Sequence, residues 1–428
     1  MPASYIDTHY SRTLATDERF PALSGSGSTD VCVVGGGLAG ITAALELARR
    51  GRQVVLLEGR RVAWGASGRN GGFVSPGYAT GLGAIETLAG RDAAAALYRL
   101  SMEGVRIVAD NIRDLGIAEA GPVPGIIAAI RYDGAAALQS YRDRMERDFG
   151  RPLRFMPRDE VRSLLLSAKY HQALYDADSF HFHPLNYARA LVRELRRLGG
   201  QVHEESLVTG AALDGPRKVV TTAGGQVECG DVVFAGGGYT DAVCPALRRA
   251  FLPIATYILL TDPIRDRIAD AIRTTAAIGD DRRAGDYYRV VGGERILWGG
   301  RITTRTSDPR DLAGRLRREM VTTYPQLADV RVEIAWSGLM SYARHLMPQI
   351  GRLQPGVWYC TAFGGHGMNT TAIGGKVVAE AIAGESDRVR LFEPFGLAWN
   401  GGPFGRAAAQ LTYWTYQAMD SWRERKAA

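Results

Sequence analysis

The feature that most constrains this chain is Gly35-Gly36-Gly37-Leu38-Ala39-Gly40, a GxGxxG turn set between two apolar segments. Asp30-Val-Cys-Val-Val34 before it reads as a short buried strand, and the stretch after it, to Arg50, reads as a helix. Gly51 is placed to end that helix, and Gln53 to Glu58 reads as a second buried strand, all within 29 residues. Gly35 permits the tight turn, Gly37 lets the backbone approach a pyrophosphate, and Gly40 lets helix and strand lie close. Leu38 and Ala39 open the helix, whose free amides and positive dipole end suit phosphates. Glu58 lies 18 residues past Gly40, where a carboxylate receives ribose hydroxyls and disfavours a 2′-phosphate. The motif alone leaves NAD and FAD equally open.

The chain has 428 residues, enough for two or three domains with a large core. Apolar residues at 46% and charged residues at 23% exclude a disordered or collagen-like chain. No uncharged apolar run reaches the roughly 18 residues of a membrane span, and the N-terminus has no apolar leader, so the expectation is a cytoplasmic protein. The four cysteines, at 32, 229, 244 and 360, form no CxxC pair, and no metal site is expected. Cys32 and Cys360 fall in apolar runs and read as small buried hydrophobes. The net charge of +7 comes almost entirely from arginine, since lysine occurs only at 169, 218, 376 and 426. It suits an anionic cofactor or substrate, but no basic run interleaved with aromatics marks a nucleic-acid track.

Residues 1–27 read as an arm, with the SGSGST stretch as its hinge. Residues 84–150 read as mostly helical, with a strong helical stretch from Arg131 to Phe149, and a further helix spans 186–198. Val202–Glu204 and Asp231–Ala235 read as strands. Residues 240–335 alternate β-like runs, at Thr256–Thr261, Tyr287–Val291 and Ile296–Trp298, with one helix near 309–323. Trp358–Thr361 is a strand that leads through a glycine loop into a helix ending near Ala383.

Trp64-Gly-Ala-Ser-Gly-Arg-Asn-Gly-Gly-Phe73 follows the acid of the second strand. With the fingerprint, it resembles the glycine oxidase/D-amino-acid oxidase superfamily (DAO) of FAD-dependent amine oxidoreductases, in its gamma-glutamylputrescine oxidase-like branch. The resemblance runs nearly end to end. It includes His181-Phe-His-Pro-Leu, Thr256-Tyr-Ile-Leu-Leu-Thr-Asp-Pro, Asp286-Tyr-Tyr-Arg, Ile296-Leu-Trp-Gly-Gly-Arg and Gly364-Gly-His-Gly-Met-Asn.

The resemblance implies an α/β fold in which an FAD-binding Rossmann-like domain of glutathione-reductase type carries an inserted α+β substrate domain with an antiparallel sheet. Residues 28–90, 150–240 and 335–385 would form the discontinuous FAD domain, and 91–149 and 241–334 the substrate domain. Residues 1–27 would remain an arm and 386–428 a helical tail. Besides the fingerprint residues, Gly59, Arg60, Ala66, Ser67, Arg69, Asn70, Gly71 and Gly72 would line the FAD, with Ser67 and Asn70 bonding the pyrophosphate or ribityl chain. Leu207 and Val208 would hold the adenine end, and Gly236 and Gly237 would form a second contact. Gly338, Gly365, His366, Gly367, Met368 and Asn369 would meet the flavin, with Thr370 and Thr371 as helix-capping side chains. That helix N-terminus would favour negative charge on reduced flavin.

The implied reaction oxidises a C–N bond of an amine, an N-substituted amino acid or a gamma-glutamyl-polyamine-like substrate. Hydride passes to flavin N5, the imine hydrolyses, and O2 is reduced to hydrogen peroxide. Such chemistry needs no side-chain nucleophile, so His366 is the one catalytic candidate, and Phe73, Tyr257, Tyr288, Trp298 and His345 are candidates for the substrate wall. His181 and His183 read as a structural turn before a helix. Arg289 and Arg301 could hold a carboxylate, though an ordinary ion pair is the simpler reading. Two departures stand out. No lysine falls where sarcosine-oxidase relatives place one for O2, which keeps open a dehydrogenase that uses a quinone or protein acceptor. No cysteine lies in 336–348, so the FAD should be non-covalent. A flavin-binding partner subunit without catalysis is a further alternative. In the tail, Leu411, Trp414, Ala418 and Trp422 share one helical face, which either docks on its own chain or meets a membrane or partner.

Overall fold

The computed structural model describes residues 4–240, 243–282 and 285–427. The first three residues of the expected arm and Ala428 of the tail lie outside the described residues.

Gly25–Val34 is central to the first sheet. It pairs in parallel with Gly225–Phe234 on one side and Val54–Leu57 on the other. Val357–Thr361 and Gln201–His203 extend the parallel order outward, and Gln349–Gln354 closes one edge antiparallel. A hairpin of Val208–Ala212 and Lys218–Thr222 hangs from Gly225–Phe234. Val31 to Val33 and Val54 to Leu57 are buried, as strands covered on both faces must be. Helices Leu38–Arg49 and Gly367–Ala383 pack against each other. Cys32 and Cys360 are buried and free, as small hydrophobes.

The SGSGST stretch is not a hinge. Residues 25–29 continue the central strand, paired with 225–229. Ladder bonds are made by backbone, so a strand can extend through serine and glycine that carry no apolar signal.

The second sheet has nine strands, and Val332–Ala343, Phe251–Thr261, Arg295–Thr303 and Tyr287–Val291 run antiparallel along it. Ala277–Asp280 follows antiparallel, then pairs in parallel with Val123–Ala129, so the sheet is mixed at that point. Val123–Ala129 corrects the helical reading of 84–150. Pro124 and Gly125 disfavour helix there, and the helix expected from Arg131 begins at Ala135. The order ends with Ala173–His181 and Phe73–Val74, and Arg154–Met156 pairs with Ala173–His181.

Phe73–Val74, Arg154–Met156, Ala173–His181 and Val332–Ala343 belong to the second sheet, although most of these residues fall in the segments expected of the FAD domain. Helix Arg91–Asp114, expected with the substrate domain, packs on Gly367–Ala383. Periodicity marks a strand but does not say which sheet receives it.

The arm lies across the first domain. Phe20 and Val62 donate backbone amides to the buried Glu204 carboxylate at 3.2 and 2.8 Å, and Arg61 pairs with it at 3.0 Å. Arg189 lies 3.6 Å from the same carboxylate.

Candidate active site

A cavity of about 1110 Å³ runs between the two sheets, larger than the roughly 300–1,000 Å³ of ordinary small-molecule sites. One end is the fingerprint turn. Gly35 has φ +110°, and a Cβ on Gly40 would stand 2.0 Å from the Gly35 carbonyl oxygen. Gly40 therefore acts by close packing behind the wall, whereas Gly35, Gly37, Leu38 and Ala39 line it. Ser67 Oγ accepts the Leu38 amide at 2.9 Å, so this serine orders the turn as well as lining it. Glu58 also lines the cavity, with Oε2 accepting the Gly36 amide at 2.7 Å and Oε1 the Arg60 amide at 2.9 Å. Its burial pushes the carboxyl pKa above the ordinary value, against those two backbone bonds. Gly59, Arg60, Leu207 and Val208 line the same end, and Gly236 and Gly237 follow from the strand Gly225–Phe234.

Ala66, Ser67, Arg69, Asn70, Gly71 and Gly72 form one side of the middle. Asn70 differs from expectation. Its amide donates to the Ala66 and Ser67 carbonyls, both at 3.0 Å, and its oxygen accepts the Gly72 amide at 2.8 Å. It builds the loop and has no amide hydrogen left for a ligand. Arg69 is buried and makes no ion pair among the described residues. It donates to the Trp64 carbonyl at 2.9 Å through Nε and to the Ser337 carbonyl at 3.3 Å through Nη1, and it stacks on Trp64. Burial lowers its pKa, and a buried cation with no ion-pair partner among the described residues suits an anionic ligand.

The far end is the loop before Gly367–Ala383. Gly338, Gly365, His366, Gly367 and Met368 line it. No side chain caps this helix. Thr370 and Thr371, expected as caps, instead donate to the His366 and Met368 carbonyls, as mid-helix threonines do. The first-turn amides are therefore left for an anion. Asn369 does not line the cavity. It is buried beneath the loop and donates to the Gly77 and Ser101 carbonyls, both at 3.2 Å. His366 Nε2 lies 3.0 Å from the Ser75 carbonyl and 3.2 Å from that of Pro76, so Nε2 carries the proton. Burial lowers its pKa and keeps the ring neutral.

The substrate-wall expectations divide. Phe73 lines the cavity, with its ring edge-on to Tyr287 at 5.7 Å. Tyr257, Tyr288 and Trp298 do not line it. They lie together in a core on the other face of the second sheet, where Tyr288 stacks on Trp298 at 4.1 Å and bonds Tyr170 and Tyr324. These residues share one face, but it is the face turned away. His345 is also elsewhere. It packs on Phe395 and lies 3.3 Å from the Gly396 carbonyl oxygen. The aromatic wall comes instead from Tyr287 and Tyr342, with Thr256 and Met340. A Cβ on Gly299 would stand 2.1 Å from the Tyr287 ring, so glycine opposite makes room for it. Two signals were available for these residues: a glycine pair facing a tyrosine, and the period of two that joins Gly338, Met340 and Tyr342 on one strand face.

Arg289 is buried, donating to Tyr10 Oη at 3.0 Å and the Phe182 carbonyl at 2.9 Å, with His181 Nδ1 at 2.9 Å. It does not line the cavity and makes no ion pair among the described residues. Arg301 lines the cavity and pairs with Glu319. His183 accepts the Asn186 amide at the start of Pro184–Arg197, the structural role expected of it.

The arrangement suits a long anionic ligand. Two helix N-termini and the guanidiniums of Arg60 and Arg69 face the cavity, and an aromatic chamber adjoins its flat glycine-lined end. The DAO family model, described as FAD dependent oxidoreductase, matches residues 30–381. The chain is 33% identical over 390 residues to the gamma-glutamylputrescine oxidoreductase of Escherichia coli (strain K12), covering 91% of each. It is 29% identical over 430 residues to a probable oxidoreductase, OrdL, of Haemophilus influenzae, covering 98% of each. The fold is similar to that of glycine oxidase from Geobacillus kaustophilus, with TM-score 0.70 at 20% identity over 87% of this chain and 98% of that one. The chain thus belongs to the DAO family of FAD-dependent oxidoreductases.

Proposed function

We propose that this protein oxidises a C–N bond of a small amine, an N-substituted amino acid or a gamma-glutamyl-polyamine-like compound. Bound FAD would accept the hydride from the carbon beside nitrogen, and the resulting imine would hydrolyse. The observation that carries this reading is the chamber of Phe73, Tyr287 and Tyr342 against the two glycine loops. An apolar wall disfavours a protonated amine and favours the neutral form, whose lone pair assists loss of hydride. Tyr287 stays protonated, because burial pushes its pKa up to about 12. His366 is a positioning residue in this reading. Its Nε2–H ties the loop before Gly367 to the 75–76 backbone and so aims the helix amides. Those amides would oppose the negative charge left on the reduced ring. Gly35, Gly37, Leu38 and Ala39, with the loop 66–72, would hold the pyrophosphate and ribityl portions, Glu58 a ribose, and Leu207 and Val208 the adenine.

A specific observation favours an electron acceptor other than O2. All four lysines are engaged away from the cavity: Lys169 with Glu424, Lys218 with the Gly215 carbonyl, Lys376 with Glu103 and Lys426 on Trp422. No ammonium then stands near the chamber to draw superoxide-like charge. An anaerobic absorbance scan against amines, polyamines and N-alkyl amino acids tests the reading, and one of them should bleach the flavin bands. Readmitted air should restore the colour slowly, and a soluble quinone quickly. A yellow protein that no amine bleaches would refute the assignment.

A further inference from the structure

The C-terminal helix, Gly402–Ala427, has two unlike faces. Its inner face docks through polar groups. Gln410 Oε1 accepts from the Thr303 hydroxyl at 2.9 Å and the Thr304 amide at 3.1 Å. Glu424 faces Lys169, Arg131 and Arg282 at 3.3, 3.5 and 3.9 Å. Its outer face is apolar. Phe404 is 82% exposed, Trp414 59%, Leu411 58% and Trp422 57%, and Trp399 in the preceding turn is 64% exposed. A helix that merely completes a globular domain turns these faces the other way.

The charges on the helix are sorted as well. Arg406, Arg423, Arg425 and Lys426 are exposed, whereas its two acids, Asp420 and Glu424, are only partly exposed, and Glu424 faces three cations. Among charged groups the exposed side thus offers cations alone, beside tryptophan, phenylalanine and leucine. A second copy of this chain would bring the same cations to the contact and no exposed acid of this helix to meet them. Anionic lipid supplies both complements: an acyl boundary for the aromatic stripe and negative headgroups for the cations.

We infer that this helix lies flat on an anionic membrane surface. No helix among the described residues is long and apolar enough to cross a membrane, so the contact is peripheral. The inference does not depend on which amine is oxidised. It does place a cavity-wall strand close to lipid, because Gln410 is anchored to Thr303, beside Arg301 and Ile302 of the wall.

The test is co-sedimentation of the full-length, FAD-loaded protein with vesicles of phosphatidylcholine alone or mixed with phosphatidylserine. The protein should pellet with the mixed vesicles and not with phosphatidylcholine alone. Pelleting should weaken at high salt. The double variant W414S/W422S should lower partitioning by more than about tenfold. R425Q/K426Q should lower it by about thirtyfold. Both variants should keep the wild-type melting temperature and flavin spectrum, which shows that they fold. Failure of the wild type to pellet with mixed vesicles, or pelleting by both variants equal to that of the wild type, would overturn the inference. So would a wild-type dimer that W414S/W422S dissociates, because a second copy would then cover the face.

Discussion

In the strand Tyr287–Val291, alternation sends the Tyr287 ring into the cavity and the Tyr288 ring into the core behind it. The two neighbours should therefore respond differently to mutation. Tyr288→Phe removes a hydroxyl bonded to Tyr170 and Tyr324 and should cost about 1–3 kcal/mol in urea unfolding, with substrate KM unchanged. Tyr287→Leu opens the chamber, and it should slow substrate bleaching of the flavin by more than about tenfold with little loss of stability. Equal effects on KM would mean that the wall is wrongly drawn. The aromatic residues themselves were legible in the sequence. The face that each of them occupies was not. A period of two fixes which residues go together, and only the packing of the whole sheet decides which set meets the cavity.

Segments 4–24 and Pro184–Arg197 are joined by buried polar groups that local pattern does not reveal. Glu204 holds Arg61 and the Phe20 and Val62 amides, with Arg189 beside it. Glu204→Gln leaves the buried Arg189 without its counter-charge and Arg61 with the exposed Asp17 alone, at 3.0 Å, and it should cost about 3–5 kcal/mol. Limited proteolysis should then cut the arm first. A second property belongs to the same junction. Burial lowers the pKa of His9 and of His181 from 6.5 to about 4, and that of His183 to about 3. Each ring is neutral in the native fold at pH values where the unfolded chain would protonate it. Stability is therefore fully present above about pH 6.5, declines as pH falls toward 3, and flattens below that. Thermal melts from pH 7.5 to 4 should show this slope, and His181→Asn should flatten part of it. The βαβ unit at 30–58 was readable because its signals are local: an apolar strand, a glycine turn, a periodic helix. Val123–Ala129 was not, because its partners, Ala277–Asp280 and Ala173–His181, are distant in sequence.

At the scale of the molecule, the cavity draws its walls from both sheets, so the ligand that fills it should bind them together. FAD at 100 times its Kd should stabilise the protein by about 2.7 kcal/mol, read as a higher melting temperature than that of flavin-stripped protein. The cofactor should also be non-covalent. Acid precipitation should leave the yellow colour in the supernatant, and colour in the pellet would contradict this. The overall architecture was legible because the fingerprint at 35–40 and the glycine loop at 364–369 bracket the chain, whereas the sheet that each strand joins was not, because the chain crosses between sheets at short strands. The arm carries a further consequence, one of timing. Phe20 precedes its anchor Glu204 by 184 residues. At about 5–20 residues per second of synthesis, roughly 10–40 s pass before that carboxylate emerges. Until then the arm has no place to settle and is open to chaperones and proteases, so slow translation between the two should lower the yield of intact protein more than slow translation after residue 204.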